Sequence, residues 1–168
     1  MVGILADLHD NLRNLLVFFE RERSNCAELW LAGDIGTPET VATLCQQFSG
    51  PVRLVAGNVE IDHQPASYTS LSADFPNLVW QAQAPLLWSI DRDLSGALFH
   101  DPRQARSYAQ MASQTVVVTG HSHRPGLEHL GTNWLLNPGT LGGVFTPATY
   151  AIATFSPKPH FILKRLYE

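Results

Sequence analysis

Residues 115–125 read TVVVTGHSHRP, and the fold of the chain is best derived from them. The valines at 116–118 form a run that is too short and too β-branched for a helix, so they predict a buried strand. Gly120 lets the backbone leave that strand in a conformation that other residues resist. His121 and His123 are therefore expected on a loop at the carboxyl end of a strand, where open α/β sheets bind their ligands.

The composition is that of a globular protein, and we expect residues 1–168 to form one domain with a substantial core. A formal net charge of −4 without a Lys/Arg cluster argues against nucleic acid as the main partner, and leaves a small phosphorylated substrate open. Cys26 and Cys45 form neither a CxxC motif nor a disulfide framework. With no visible signal peptide or membrane span, the chain is expected to be cytoplasmic.

Side chains of the types that bind metal ions follow five of the predicted strands. Apolar runs predict strands at residues 2–6, 29–32 and 52–56, joined by amphipathic helices, and further strands at 95–99 and 116–118. The residues that follow these strands are, in order, Asp7 with His9, Asp34, Asn58, His100, and His121 with His123.

These polar side chains are expected to converge. If the five strands are neighbours in one parallel sheet, their carboxyl ends lie at the same edge. Burying several polar and charged groups together is costly unless something pairs with them, and metal ions would do so. Elsewhere, residues 62–76 show no clear period and are expected to form a long loop with at most one helical turn, and residues 150–155 and 161–166 predict two closing antiparallel strands.

The ordered motifs resemble those of the calcineurin-like metallophosphoesterases. Their pieces here are D-x-H from Asp7, G-D ending at Asp34, G-N ending at Asn58, a single His100, and G-H-x-H from Gly120. The short chain and the later Asn137-Pro138-Gly139 are similar to the small bacterial phosphodiesterase branch of that superfamily. The resemblance implies an α/β fold in which a β-sandwich of mixed sheets is flanked by helices, with a two-metal site at the sheet edge.

The resemblance also implies a role for each ligand. One ion would be bound by Asp7, His9 and His123. The second would be bound by Asn58, His100 and His121, with Asp34 bridging both, and Asp34, Asn58, His100 and His121 are the residues expected to be catalytic. The mixed nitrogen and oxygen donors suit two divalent ions, with Mn expected and Fe, Ni or Zn as alternatives. The implied reaction is in-line attack on a phosphate ester by a hydroxide that bridges the ions.

Three positions depart from the pattern of the family. Val59 stands where many relatives have a histidine that protonates the leaving group, and His63 is the nearest candidate to replace it. Asp10 and Asp101 stand where relatives often have glycine. If these carboxylates point into the site, they would weaken its attraction for phosphate.

Two further residues have two interpretations each. Asn11 could contact the phosphate of the substrate or cap a helix. Glu60 could orient a metal ligand or be a solvated loop residue. For the whole chain, a phosphodiesterase is the favoured function. A phosphomonoesterase is one alternative, and a non-catalytic metal-binding interaction module, like the scaffold subunit of the retromer coat, is the other. The oligomeric state is left open.

Overall fold

A computed structural model of the chain describes residues 1–167 and contains eleven strands and five helices within them. The helices are α1 (Leu12–Glu22), α2 (Pro38–Gln47), α3 (Asn58–Asp62), α4 (Pro65–Asp74) and α5 (Pro102–Met111). The strands are β1 (Val2–Leu5), β2 (Glu28–Leu31), β3 (Val52–Val55), β4 (Leu78–Gln81), β5 (Leu86–Ser89), β6 (Ser95–Leu98), β7 (Thr115–Val118), β8 (Gly126–Leu130), β9 (Asn133–Asn137), β10 (Thr149–Thr154) and β11 (His160–Arg165).

The strands form two mixed sheets. The first has the order β11-β10-β1-β2-β3-β4, in which β1 to β4 are parallel and β10 and β11 antiparallel. The second has the order β5-β6-β7-β9-β8, with parallel β6, β7 and β9 between two antiparallel edge strands. This arrangement confirms the predicted fold class, a β-sandwich of mixed sheets flanked by helices.

Three apolar layers hold the sandwich together. Ile4, Trp30 and Val116 belong to the layer between the two sheets. A second layer, which includes Phe18 of α1 and Leu44 of α2, joins α1, α2 and α4 to the outer face of the first sheet. A third, smaller layer joins α5 to the second sheet. No helix among residues 1–167 is long and apolar enough to cross a membrane.

The loop predicted at residues 62–76 is wrong, because most of that segment is the helix α4. Tyr68 is the one fully buried residue of α4; its ring stacks on Trp80 with centroids 4.9 Å apart, and its hydroxyl donates to the carbonyl of Gly36. A helix that buries one residue leaves no apolar period in the sequence. Pro65 at its first turn is compatible with a helix start, since that position needs no N–H donor.

The five strands that carry the candidate ligands are not neighbours in one sheet. The strands β1, β2 and β3 belong to the first sheet, whereas β6 and β7 belong to the second. The strand ends nevertheless meet, because the sheets are linked at this end of the sandwich. The ring of His100 donates from Nδ1 to the carbonyl of Ala32 at 2.8 Å, and the N–H of His121 donates to the carboxylate of Asp7.

Candidate metal centre

The backbone at this end of the sandwich is unusual, since five side chains of the site stand on residues in the left-handed region. Such a conformation costs an L-residue roughly 1–2 kcal/mol, and it tends to occur where a functional site requires it. Surrounding hydrogen bonds hold it in place, such as that from the N–H of His9 to the carbonyl of Asp34. The five residues and their φ angles are Asp7 (51°), His9 (50°), Asp34 (52°), His121 (66°) and His123 (58°).

The first cluster consists of Asp7, His9 and His123, whose candidate ligand atoms all lie within 4.8 Å of one another. The Nε2 atoms of His9 and His123 are 3.3 Å apart, and Nε2 of His123 is 3.5 Å from Oδ1 of Asp7. The Nδ1–H of His123 donates to the carbonyl of Val144 at 3.0 Å. That bond leaves the lone pair of Nε2 directed into the cluster, which is how proteins orient histidine ligands.

The second cluster consists of Asp34, His100 and His121 and meets the same distance criterion. Nε2 of His100 is 3.3 Å from Oδ2 of Asp34 and 3.2 Å from Nδ1 of His121. Because the Nδ1–H of His100 donates to the carbonyl of Ala32, its Nε2 is the nitrogen that faces the cluster.

Asp34 lies between the two clusters. Its Oδ2 is 3.3 Å from Nε2 of His100 in one cluster and 3.9 Å from Nε2 of His9 in the other. Its second oxygen, Oδ1, accepts the N–H of Val59 at 2.9 Å. The carboxylate is therefore held by α3 in an orientation that directs one oxygen towards both groups of histidines.

Glu60 holds the backbone of the two loops that carry Asp34 and Asn58. It is fully buried, and its carboxylate accepts hydrogen bonds from four backbone N–H groups at 2.8–3.1 Å. Three of those groups follow β2 and one follows β3, so Glu60 ties the loop of Asp34 to the loop of Asn58. Of the two interpretations of Glu60, burial excludes the solvated loop residue. The four donors are the N–H groups of Asp34, Ile35, Gly36 and Gly57.

The buried charges perturb one another. Burial raises the pKa of Asp7 to about 7; repulsion from Asp34 adds to the rise and attraction to His100 opposes it. Burial also lowers the pKa of His9, against the attraction of Asp34. Burial alone would raise the pKa of Asp34, but the hydrogen bond and charge of His100 outweigh it, and that pKa is lowered. A carboxylate that resists ionisation beside another carboxylate favours a bound cation.

Asn58 and Asn11, the remaining predicted site residues, occupy different positions. Asn58 is the exposed first residue of α3 and lines a cleft of about 420 Å³ together with His100. Asn11 caps α1: its side chain accepts the N–H of Asn14 and donates to the carbonyl of Gly142. The structure thus shows the helix cap, and a substrate contact by Asn11 stays a prediction.

The two extra carboxylates join neither cluster. Asp10 accepts hydrogen bonds from the N–H and hydroxyl of Thr37 and from the hydroxyl of Thr40, at the start of α2. Asp101 caps α5 and pairs with the guanidinium of Arg103 at 3.0 Å, and it also lines the cleft of Asn58 and His100. His63 is exposed at the end of α3.

Some supporting groups could not be found from the sequence. The carbonyl of Val144 orients His123, and a backbone carbonyl leaves no trace in residue identity. The hydroxyl of Thr140 donates to the carbonyl of Asp7 at 2.7 Å, and it follows directly after the Asn137-Pro138-Gly139 motif, which could have indicated it. Asn137 supports the site from its strand end, since its amide donates to the carbonyl of Gly120 and to the hydroxyl of Ser122.

The donor set fits divalent metal ions. Imidazole nitrogens and carboxylate oxygens without thiolates suit Mn, Fe, Ni and Zn. The Nε2 atoms of His100 and His123 are directed inward by the outer hydrogen bonds of their Nδ1–H groups. The two groups of three residues are candidate metal-ligand clusters that share one end of the sandwich.

Comparison with known proteins gives a family and a set of shared folds. The calcineurin-like phosphoesterase superfamily domain matches residues 1–158. An archaeal phosphodiesterase is 22% identical, and the match covers 97% of this chain and 99% of that protein, with a TM-score of 0.80. Vacuolar protein sorting 29 from Cryptosporidium parvum is 18% identical over 97% and 95%, with a TM-score of 0.64. A phosphoesterase from E. coli is 16% identical over 89% and 86%, with a TM-score of 0.59. No curated protein matches.

Proposed function

The chain belongs to the calcineurin-like phosphoesterase superfamily, and from that premise we propose that it is a phosphodiesterase that uses two divalent metal ions. The observation that carries the proposal is the position of Asp34, whose Oδ2 lies within 3.9 Å of histidine nitrogens in both clusters. A single carboxylate between two groups of histidines is the arrangement that a pair of ions requires.

In this proposal each ion has its own ligands. Asp7, His9 and His123 hold the first ion, and Asn58, His100 and His121 hold the second. Asp34 is shared between the two. Mn is the proposed metal, with Fe, Ni or Zn as alternatives, because the donors contain no thiolate.

The chemistry needs both ions and side chains. Two bound divalent ions supply positive charge for the phosphate and lower the pKa of a water molecule towards neutrality. Asp34 is held in one orientation by the N–H of Val59, and its loop is held by Glu60. The carbonyls of Ala32 and Val144 accept the Nδ1–H groups of His100 and His123 and so keep their Nε2 atoms inward, where they would bind the ions. The chain therefore presents the donors preorganised, with little rearrangement left for the reaction.

The leaving group limits the range of esters. The side chain of Val59, next to Asn58, has no acidic proton to donate, and its backbone N–H donates to Asp34. General acid catalysis typically contributes about 10²–10⁴-fold, so its absence penalises leaving groups that need a proton. We therefore expect hydrolysis of aryl esters and steeply slower hydrolysis of alkyl esters.

The structural neighbours bear on the choice between the candidate functions. The likeness to an archaeal phosphodiesterase supports the proposed diesterase over a monoesterase. The likeness to vacuolar protein sorting 29 is compatible with the alternative of a non-catalytic interaction module on the same fold. The complete set of candidate ligands favours the enzyme over that module.

Hydrolysis assays test the proposal. The purified chain, loaded in turn with Mn, Fe, Ni and Zn, is assayed with bis-p-nitrophenyl phosphate and with p-nitrophenyl phosphate. We expect hydrolysis of the diester that depends on the added metal and exceeds that of the monoester. Asp34→Ala is the negative control. A chain that binds metal but hydrolyses neither ester would favour the interaction module, and a faster monoester would favour the phosphomonoesterase.

A further inference from the structure

Phe145 is an exposed aromatic residue in a strained conformation next to the candidate metal centre. Its side chain is 94% exposed, although phenylalanine is among the residues most often buried. Its φ angle is 64°, in the region that favours glycine and that a bulky residue seldom adopts. The fold gains no packing from this ring on its outer face, and such strain persists mainly where function requires it.

The loop that carries Phe145 is fixed to the site. The N–H of Gly142 donates to the carbonyl of Asp7 at 3.0 Å, and the amide of Asn11 donates to the carbonyl of Gly142 at 2.9 Å. On the other side of Phe145, the hydroxyl of Thr146 donates to the carbonyl of His123 at 2.9 Å. The ring is therefore presented by an anchored segment.

The ring lies beside a candidate ligand and buries little area against it. The rings of Phe145 and His123 are 5.7 Å apart at their centroids, with an angle of 25° between their planes. Nε2 of the same imidazole faces the first cluster. Phe145 thus extends the aromatic surface of the site outward and leaves its other face open to a ligand.

A cleft flanks the site beyond the second cluster. It has a volume of about 420 Å³ and includes His100, Asn58 and the exposed side chains of Gln83 and Gln104. Amides of this kind can pair with neutral polar groups such as hydroxyls. Because Asp34 lies between the clusters, a phosphate bound there would have Phe145 towards one side and the cleft towards the other. A monoester could occupy one of these places, whereas a diester has an arm for each.

We propose that the substrate is a phosphodiester with one planar aromatic arm, such as a nucleobase or an aryl group, and that this arm stacks on the open face of Phe145. The second arm enters the cleft of Gln83 and Gln104. This inference rests on the proposed function and adds the substrate class. Stacking of a base on an aromatic side chain is sequence-tolerant, so Phe145 selects for planarity and leaves the identity of the ring open.

Equilibrium binding separates this proposal from catalysis. Calorimetry on the Mn-loaded chain measures the dissociation constants of diphenylphosphinate and dimethylphosphinate. Both carry the anionic PO2 group of a diester on P–C bonds that the enzyme cannot hydrolyse, and they differ in the presence of planar arms. We expect Phe145→Ala to weaken the binding of diphenylphosphinate about tenfold and to leave that of dimethylphosphinate unchanged. Phe145→Leu, which keeps an apolar side chain without a flat ring, should resemble Phe145→Ala, and Phe145→Tyr should retain native affinity. Met111→Ala, which removes another exposed apolar side chain on α5, is the matched control and should change neither ligand.

A melting experiment excludes a structural role for the ring. Asparagine tolerates the left-handed region better than phenylalanine. Phe145→Asn should therefore raise the melting temperature by about 2–4 °C while it weakens the binding of diphenylphosphinate. Equal affinities of native protein and Phe145→Ala for diphenylphosphinate, or a lower melting temperature of Phe145→Asn, would overturn the proposal. A chain that hydrolyses no ester but still binds diphenylphosphinate through Phe145 would refute the proposed activity alone.

Discussion

Two buried polar clusters of this protein contain carboxylates, and they are satisfied in different ways. Glu22 of α1 is buried beneath the first sheet, where its Oε1 accepts the hydroxyl of Tyr150 at 2.8 Å and the ammonium of Lys164 at 2.6 Å. Burial alone would raise the pKa of Glu22, but these hydrogen bonds outweigh it, and that pKa is lowered. The cluster of Glu22 is complete within the protein.

The candidate metal centre is arranged the other way. Imidazole nitrogens face each other at 3.3 Å between His9 and His123 and at 3.2 Å between His100 and His121, and the pKa of Asp7 is raised to about 7. Burying so many imidazole nitrogens and carboxylate oxygens together is costly unless a cation lies among them. The comparison teaches that the polar groups around Glu22 satisfy one another within the protein, whereas those of the candidate metal centre need a cation.

The largest expected effect is the loss of activity in Asp34→Ala. Loss of a residue that only orients a ligand costs about 10–100-fold, so loss of the shared carboxylate should cost more than 100-fold. Asn58→Ala should weaken mainly one ion, because Asn58 is assigned to one. Turnover of bis-p-nitrophenyl phosphate and metal content are measured for both variants, with Glu22→Gln as the control that keeps both. Equal and mild losses in the two site variants would contradict the assignment of Asp34.

Metal ions should stabilise the protein through the candidate metal centre and independently of Glu22. At 100 times its dissociation constant, a ligand that binds only the folded state adds about 2.7 kcal/mol of stability. For a chain of this size, that corresponds to a rise of about 5–10 °C in melting temperature. We expect this rise on addition of Mn to the native protein and to Glu22→Gln, and no rise for Asp34→Ala. A rise of the same size in Asp34→Ala would place the stabilising metal elsewhere.

Removing the charge of Glu22 should lower stability without lowering activity. Hydrogen bonds to charged groups contribute about 1.5–3 kcal/mol each, and glutamine in place of Glu22 keeps the shape but weakens both bonds. We expect the free energy of unfolding of Glu22→Gln, from urea titration, to fall by about 2 kcal/mol. Lys164→Met is the matched variant from the other side of the pair. A Glu22→Gln protein that is fully stable but inactive would show that Glu22 serves activity and not stability, which contradicts the account.

The smallest expected effect is a pH dependence of folding stability that has opposite signs for Asp7 and for Glu22. In protein treated with EDTA, the folded pKa of Asp7 is about 7 and exceeds its ordinary value of 3.8, so its contribution to stability is complete below pH 3.8 and is lost as the pH rises through 7. The pKa of Glu22 is lowered from 4.5, so its contribution is present above pH 4.5 and is lost as the pH falls through the folded value.

Urea titrations across this pH range compare the native chain with Asp7→Asn and Glu22→Gln. The stability of the native protein relative to Asp7→Asn should fall as the pH rises towards neutral, and its stability relative to Glu22→Gln should fall in acid. Parallel pH profiles for the two pairs would show that the carboxylates are satisfied in the same way.

The candidate ligands could be predicted from the sequence because each follows an apolar strand and is a side chain of metal-binding type. Which sheet each strand joins could not be predicted, since an apolar run looks the same in either layer. The helix α4 was missed because it buries only Tyr68 completely. The directions of Asp10 and Asp101 were equally hidden, because a carboxylate that caps a helix and one that enters a site have the same residue identity.

Phe145 shows the same limit at the level of a single residue. A lone phenylalanine in a loop produces no periodic pattern, and its significance depends on a φ angle of 64° and on the stacking with His123. Both depend on hydrogen bonds between segments far apart in the chain. Residue types at strand ends therefore predicted the candidate ligands, whereas the surroundings of the site depend on contacts between distant segments that residue identity does not reveal.

The most direct test of the central claim is a crystal structure of the chain grown with Mn, with data collected at the Mn absorption edge. The account predicts two anomalous peaks per chain at the carboxyl end of the sandwich, with Oδ2 of Asp34 between them and Asp7, His9, Asn58, His100, His121 and His123 around them. No peak or a single peak at this end of the sandwich, or Mn bound to other residues, would contradict it.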